Sequence, residues 1–221
     1  MTHSPFFTTK ENIALEIQVL NFLNAKVNDF PQSTLRSPRA VGDIAQAMVS
    51  ENFERIAPAG LISRYSATFA RRAMADLAFE DRDNYYYVID VKTHLRSAKF
   101  NMPNLTSVER LARFYEDDRN YFVIMLLAYD VSASGLRFER VNFVPIEFLT
   151  WNCLTIGALG WGQIQIANSN MVEITPLFSR RAWMLEMCHT LLEFYPREIS
   201  KIGERIAYFE AVRSRWEART D

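Results

Sequence analysis

Residues 121–129 read YFVIMLLAY, a run of nine apolar and aromatic side chains with no polar alternation. A strand built from such a run has no face to give to water, so both faces must be covered. That requirement places it at the middle of a mixed sheet sandwiched by helices. Nine residues are too few to cross a bilayer as a helix, and the chain has no longer apolar run. The cover is available: 49% of the 221 residues are hydrophobic and 13% aromatic, with a net charge of -1, a composition that buries a core and excludes global disorder. The length suits one domain.

The flanking pattern fits this frame. Within residues 10–29, Ile13, Ile17, Leu20, Leu23 and Val27 recur at helical spacing and predict an amphipathic helix. After a proline-bearing loop over 31–37, Ser37 can cap and Pro38 can open a second helix whose apolar stripe is Ile44, Met48 and Val49. Residues 76–80 and 85–91 read as strands joined by the polar turn 81–84. The Thr106-x-x-Glu109 arrangement predicts a capping box and a helix to about Glu116. Strands follow at 137–144 and 161–168. The tail from Ser179 is helical with an interruption at Pro196, and Ile199, Ile202, Ile206, Phe209 and Trp216 lie on one stripe. The fold class is therefore α/β or α+β, with a mixed central β-sheet flanked by helices.

Cys153 and Cys188 sit in apolar surroundings without metal-ligand spacing and read as reduced core residues. The first dozen residues lack the order of a signal peptide, so the expected location is cytoplasmic, with no membrane partner. Near-neutral charge argues against a broad positive surface but leaves room for a local basic cleft. Of the 25 basic residues 20 are Arg, the side chain that grips phosphate and guanine bidentately; a coding bias explains that excess equally well.

Several catalytic engines are missing. The sequence has no dinucleotide or P-loop glycine motif, no nucleophile elbow and no HExxH, and its three histidines have no recognisable triad partners. What remains is YYYVIDVKTH, in which Asp90 and Lys92 project from one face at the end of an apolar strand, with Asp76 on the preceding strand. The acid-x-Lys triplet means little alone, because 26 acidic residues and 5 lysines produce one by chance. Its context says more: two aspartates and a lysine are drawn together on paired strands, where carboxylates need a metal or a cation to stay ionised. A solvated ion pair at a strand end fits the same spacing.

Asp76 followed by Asp90-Val91-Lys92 resembles the PD-(D/E)XK nuclease signature, with Ala75-Asp76 in place of its Pro-Asp pair. Residues 88–93, the loop with Ser97, Phe100 and Pro103-Asn104, and residues 162–166 resemble type II restriction endonucleases of the EcoRV, HincII and SwaI branch. The likeness covers roughly residues 36–195 and is strongest over 76–105. It implies a restriction-endonuclease-like fold, with residues 1–221 as one nuclease domain, and a phosphodiesterase dependent on Mg²⁺. Asp76, Asp90 and the Val91 carbonyl would be the metal ligands, Lys92 would hold and help deprotonate the attacking water, and Asp43 would be an outer-shell carboxylate.

The implied partner is double-stranded DNA. Gln163 and Gln165 alternate with Ile164 and Ile166, so a strand there shows amides on one face; with Asn168 and Asn170 they are candidates for reading adenine. An ordinary exposed strand face is the alternative. Arg39, Arg96, Lys99, Asn101 and Asn104, read as loop residues near the site, are candidates for phosphate or base contacts, whereas Arg71 and Arg72 read equally well as surface ion-pair residues. A palindromic target would be matched by a homodimer, with the C-terminal helix at about 179–219 as first candidate interface and the N-terminal one at about 10–30 as second, together a dimerisation and DNA-clamping region. A restriction enzyme also requires a cognate methyltransferase in its host. The competing classes are a repair, nicking or junction-resolving nuclease of the same superfamily, and a catalytically inert DNA-binding protein on the same fold.

Overall fold

The computed structural model describes residues 3–66, 75–158 and 160–219. A one-turn helix α1 (Pro5–Thr8) leads into α2 (Glu11–Ala25) and α3 (Pro38–Ile56). Five strands form the main sheet: β1 (Ile62–Ser66), β2 (Leu77–Asp81), β3 (Tyr86–Leu95), β5 (Asn120–Ser132) and β6 (Gly135–Pro145), in the order β1-β2-β3-β5-β6. The pair β3 and β5 is parallel and every other neighbouring pair is antiparallel, so the central sheet is mixed. Between β3 and β5 the chain forms the short β4 (Asn104–Ser107) and helix α4 (Val108–Phe114). Beyond β6, β7 (Leu154–Gly157) and β8 (Gln163–Ile166) join β4 in a separate three-stranded sheet, order β4-β8-β7. Helix α5 (Arg180–Glu217) closes the described chain.

The nine-residue apolar run lies inside β5, bonded on both edges, but β5 is the fourth strand of five. The middle strand is β3, which pairs with β5 over ten residue pairs from Tyr86–Asn120 to Leu95–Tyr129. The predicted hairpin is present as β2 and β3. The strand predicted at 161–168 is shorter and belongs to the small sheet, while β1, β4 and β7 are too short or too polar to stand out in the sequence.

Helix α2 buries a different face from the predicted stripe. Asn12, Leu15, Val19 and Leu23 are inside, while Ile13 and Ile17 are 44% and 54% exposed. The reason is the edge strand β6. Asn24 accepts from the Phe138 N–H (3.0 Å) and donates to its carbonyl (2.9 Å), and Glu16 accepts from the Phe143 N–H at 2.6 Å. An edge strand presents unpaired backbone groups, and α2 turns its polar side chains onto them. Burial pushes the Glu16 carboxyl up from its ordinary range. Helix α3 starts as predicted, with Ser37 accepting from the Ala40 N–H and Pro38 opening the helix. Its buried face is Val41, Ala45, Val49, Phe53 and Ile56, with Ile44 and Met48 packed at its margin. At α4 the cap is Ser107, which accepts from Arg110 N–H; Thr106 belongs to β4 and is buried.

Two expectations about the tail are corrected. Pro196 does not interrupt α5, which continues through it, since the turns on either side are built of good helix formers such as Arg197, Glu198, Lys201 and Glu204. Cys188 is exposed, whereas Cys153 is buried as predicted. The helix docks through Trp183, Met187 and Phe194. At its first residue, Arg180 is buried on the fully buried Glu147 (2.9 Å), with its guanidinium 4.1 and 4.2 Å from the ring centroids of Tyr115 and Tyr121. Tyr115 Oη donates to the other Glu147 oxygen at 2.6 Å. Removing one member strands a charge away from water. Arg180→Leu is expected to cost about 3–5 kcal/mol in urea unfolding, and Arg180→Leu with Glu147→Leu should cost less than the sum of the two single changes. Additive losses would show that the pair is not coupled.

Candidate functional site

Strand β2 pairs with β3 only over Tyr86–Ile89, so the second half of β3, from Asp90 onward, lies beyond that pairing. Asp76 stands where β2 begins. Its N–H donates to the Ile89 carbonyl at 2.9 Å, and its carboxylate oxygens accept from the Val91 N–H (2.7 Å) and from Gln46 Nε2 (2.6 Å). A strand residue puts N–H and C=O out on the same edge, so the Val91 carbonyl leaves β3 on the Asp76 side. Two residues apart on one face, Lys92 Nζ donates to Asp90 Oδ1 at 2.8 Å. The predicted juxtaposition of Asp76, Asp90 and Lys92 is therefore present at one end of the central strand.

The charge balance there is uneven. The Asp90 side chain is 7% exposed, and its Oδ2 is buried without a hydrogen-bond partner among the described residues. Burial pushes its carboxyl up to about 7; Lys92 opposes this and the negative charge of Asp76 adds to it. Burial also raises Asp76, offset by the Val91 N–H and by Lys92. The three groups thus act on one another electrostatically, and among the described residues Lys92 is the cation that offsets both acids.

Lys92 and Val91 open into a cleft of about 430 Å³ whose other walls are Arg39, Gly42, Asp43 and Gln46 of α3 and Phe100, Asn101 and Pro103 of the loop after β3. Asp43 and Arg39 reach the same cleft as Lys92; Arg39 sits in the first turn of α3 and not in a loop. Helix α3 comes this close because Gly42 has no side chain: a Cβ there would fall 2.7 Å from Thr93 Oγ1. Sequence reasoning missed Gln46. Its signal was available, as the residue one helical turn after Asp43 on the cleft-facing side of α3.

The remaining candidates divide. Lys99 is exposed, and Asn101 lies in the cleft. Arg96 is ion-paired with Glu139 and lines a different hollow with His94, Arg140 and Asn170. Asn170 bonds His94 Nε2 at 2.9 Å and donates to the Ala98 carbonyl at 2.8 Å, and Asn168 accepts from the Asn170 N–H at 3.1 Å. The Asn170 amide braces the loop after β3, and Asn168 caps the turn that carries Asn170. In the small sheet, β8 alternates as predicted, with Ile164 and Ile166 buried and Gln163 and Gln165 on the other face. Asn104 is in β4, beside Gln165, and the Gln165 amide donates to it. Gln163 lines a separate groove with Arg110 and Trp161. Arg71 and Arg72 lie outside the described residues.

Among the described residues no group of three or more His, Cys, Asp and Glu side chains is arranged to hold a metal ion. The donor set is smaller: two carboxylates and the Val91 carbonyl. Such a set suits Mg²⁺, which is bound through one or two carboxylates and completes its shell with water and substrate phosphate. The Asp90 Oδ2, which has no hydrogen-bond partner among the described residues, and the neighbouring Asp76 carboxylate fit a hard cation. No protein-family model and no curated protein matches the chain. Among the described residues, no helix is long and apolar enough to cross a membrane.

The raised Asp90 carboxyl contributes to the pH dependence of stability without divalent cations. Its ordinary value is 3.8 and its folded value about 7, so the folded state holds this proton more tightly than the unfolded state. Its contribution is fully present below about pH 4 and is lost as pH rises to about 7. Asp90→Asn has no proton to lose, and Lys92, partly exposed, can turn to solvent. The variant is expected to gain on the wild type by on the order of 1–4 kcal/mol between pH 4 and pH 8 in chemical denaturation. Parallel pH profiles for the two proteins would contradict this assignment.

Proposed function

We propose that the chain is a Mg²⁺-dependent, site-specific endonuclease that hydrolyses phosphodiester bonds of double-stranded DNA, a type II restriction enzyme working as a homodimer in the cytoplasm of a host with a cognate methyltransferase. The observation that carries this reading is the convergence of Asp76, Asp90 and Lys92 beside one cleft, which Lys92 lines, with a buried Asp90 oxygen that has no hydrogen-bond partner among the described residues. Asp76, Asp90 and the Val91 carbonyl would hold Mg²⁺, which would supply Lewis-acid polarisation of the scissile phosphate and an acidified water.

The chain's own groups have separate tasks. Lys92 holds the attacking water by hydrogen bond, helps remove its proton, and sets a positive charge against the phosphate oxygens as negative charge builds. Its contact with Asp90 aims the ammonium into the cleft. Gln46 and the Val91 N–H fix the Asp76 carboxylate, so that little reorganisation is needed when substrate arrives. Asp43 lines the cleft as an outer carboxylate, while Arg39 and Asn101 in the cleft and the exposed Lys99 on the loop after β3 are the candidates to grip backbone phosphate. Gln163, Gln165 and Asn104 share the small sheet and are the base readers in this reading.

A digest of plain duplex DNA with Mg²⁺ tests the proposal. Discrete fragments are expected; nicking only of damaged or branched substrates would favour a repair or junction nuclease, and no cleavage would favour an inert binding protein. Lys92→Ala and Asp90→Ala should each lower cleavage by about 10²-fold or more while circular dichroism and melting show a folded protein. Full activity in either variant would remove the assignment. Gln163→Ala, measured by binding to cognate and scrambled duplexes, should lose discrimination more than unspecific affinity; equal loss of both would exclude base reading by this side chain.

A further inference from the structure

Helix α5 spans 38 residues, about 57 Å at 1.5 Å per residue, yet its last buried side chain is Phe194. Along it, Leu185, Cys188, Leu192, Tyr195, Ile199, Ile202, Ile206, Phe209, Arg213 and Trp216 alternate by three and four residues. That is a 3.5-residue period sustained over more than four heptads, with apolar or aromatic side chains at every position but Arg213. The seam is open: Leu192 is 74% exposed, Ile199 69%, Ile206 56% and Trp216 63%. A helix that only covers its own domain needs a stripe following 3.6 residues per turn, facing inward; a strict 3.5 repeat facing outward fits a second helix wound on the first.

We infer that α5 forms a two-stranded antiparallel coiled coil with α5 of a second copy of this chain. Three features choose that occupant and that direction. First, the open seam amounts to on the order of 800 Å² per copy, the size of a standard specific interface. Second, Arg213 would face its own copy in a parallel, in-register pair, placing like charges in the seam; antiparallel pairing centred near residue 204 sets Arg213 against Tyr195, Ile199 against Phe209, and Leu192 against Trp216, so each cation or large ring meets a complementary side chain. Third, Glu198 and Arg205 flank the seam on one side, and the antiparallel arrangement brings the Glu198 of one copy towards the Arg205 of the other. A groove lined by Ile202, Arg205, Ile206, Phe209, Glu210 and Arg213 lies beside this centre. Pro196 falls off the seam.

The inference deepens the homodimer of the preceding section and rests on it only for that; mass and crosslinking read it without reference to cleavage, so either can fail while the other stands. Light scattering on the full chain at micromolar concentration is expected to give twice 25.7 kDa. Ile202→Glu with Ile206→Glu should halve that mass without lowering the melting temperature of the body, since both positions are exposed. In a Cys188→Ser background, Ile199→Cys together with Phe209→Cys should oxidise to a covalent dimer, while neither cysteine alone should. A monomeric wild type, or a dimer untouched by the two glutamates, would overturn the seam. Efficient crosslinking by either single cysteine would overturn the antiparallel direction.

Discussion

The constraint on which the site depends is a carboxylate held out of water beside a second negative charge. Asp90 sits on the central strand, one oxygen on Lys92 and the other without a hydrogen-bond partner among the described residues, with Asp76 near enough to raise it further. Burying an ionised group this way is unfavourable unless a cation completes it. A chain selected only for stability would replace Asp90 by an apolar residue of similar volume. Asp90 lies on the strand whose next two residues, Val91 and Lys92, line the cleft, so a cation that completes it is part of the proposed function and not of the fold.

The rest of the fold holds that strained arrangement still. The ten-pair parallel ladder between β3 and β5 fixes the strand carrying Asp90 and Lys92, and β5 is in turn clamped by β6. Polar side chains of α2 satisfy the outer edge of β6, which leaves the sheet without a free backbone row on that side at Phe138 and Phe143. Helix α3 presses on β3 through Gly42, and that close approach brings Asp43 and Gln46 to the cleft. The loop after β3 leads into β4 of the small sheet, where Asn104 stands beside Gln165 of β8, so the candidate residues of the two sheets are joined through that loop and one strand pairing.

Two energetic regimes meet in α5. Its first half is anchored by Trp183, Met187, Phe194 and the buried Arg180–Glu147 pair; its second half contributes almost nothing to the core. Helices of that length without tertiary cover gain little from propensity alone, so in the proposed dimer the outward seam would supply for the second half what the core supplies for the first.

The order of the main elements was legible because it follows from local chemistry: the unbroken apolar run forced a doubly covered strand, Ser37-Pro38 marked a helix start, and the two-residue spacing of Asp90 and Lys92 put both on one face. Those features depend on a handful of neighbours and survive in any context. Tertiary structure decided the rest. Which face of α2 is buried depended on the backbone of β6, more than a hundred residues away, and so Ile13 and Ile17, on the predicted apolar stripe, stand exposed. The engagement of Asn170 with the loop after β3, and the position of Gln46 on Asp76, were likewise set by partners remote in sequence. Periodicity records that a side is apolar, but only the packed neighbour determines which side has something to pack against.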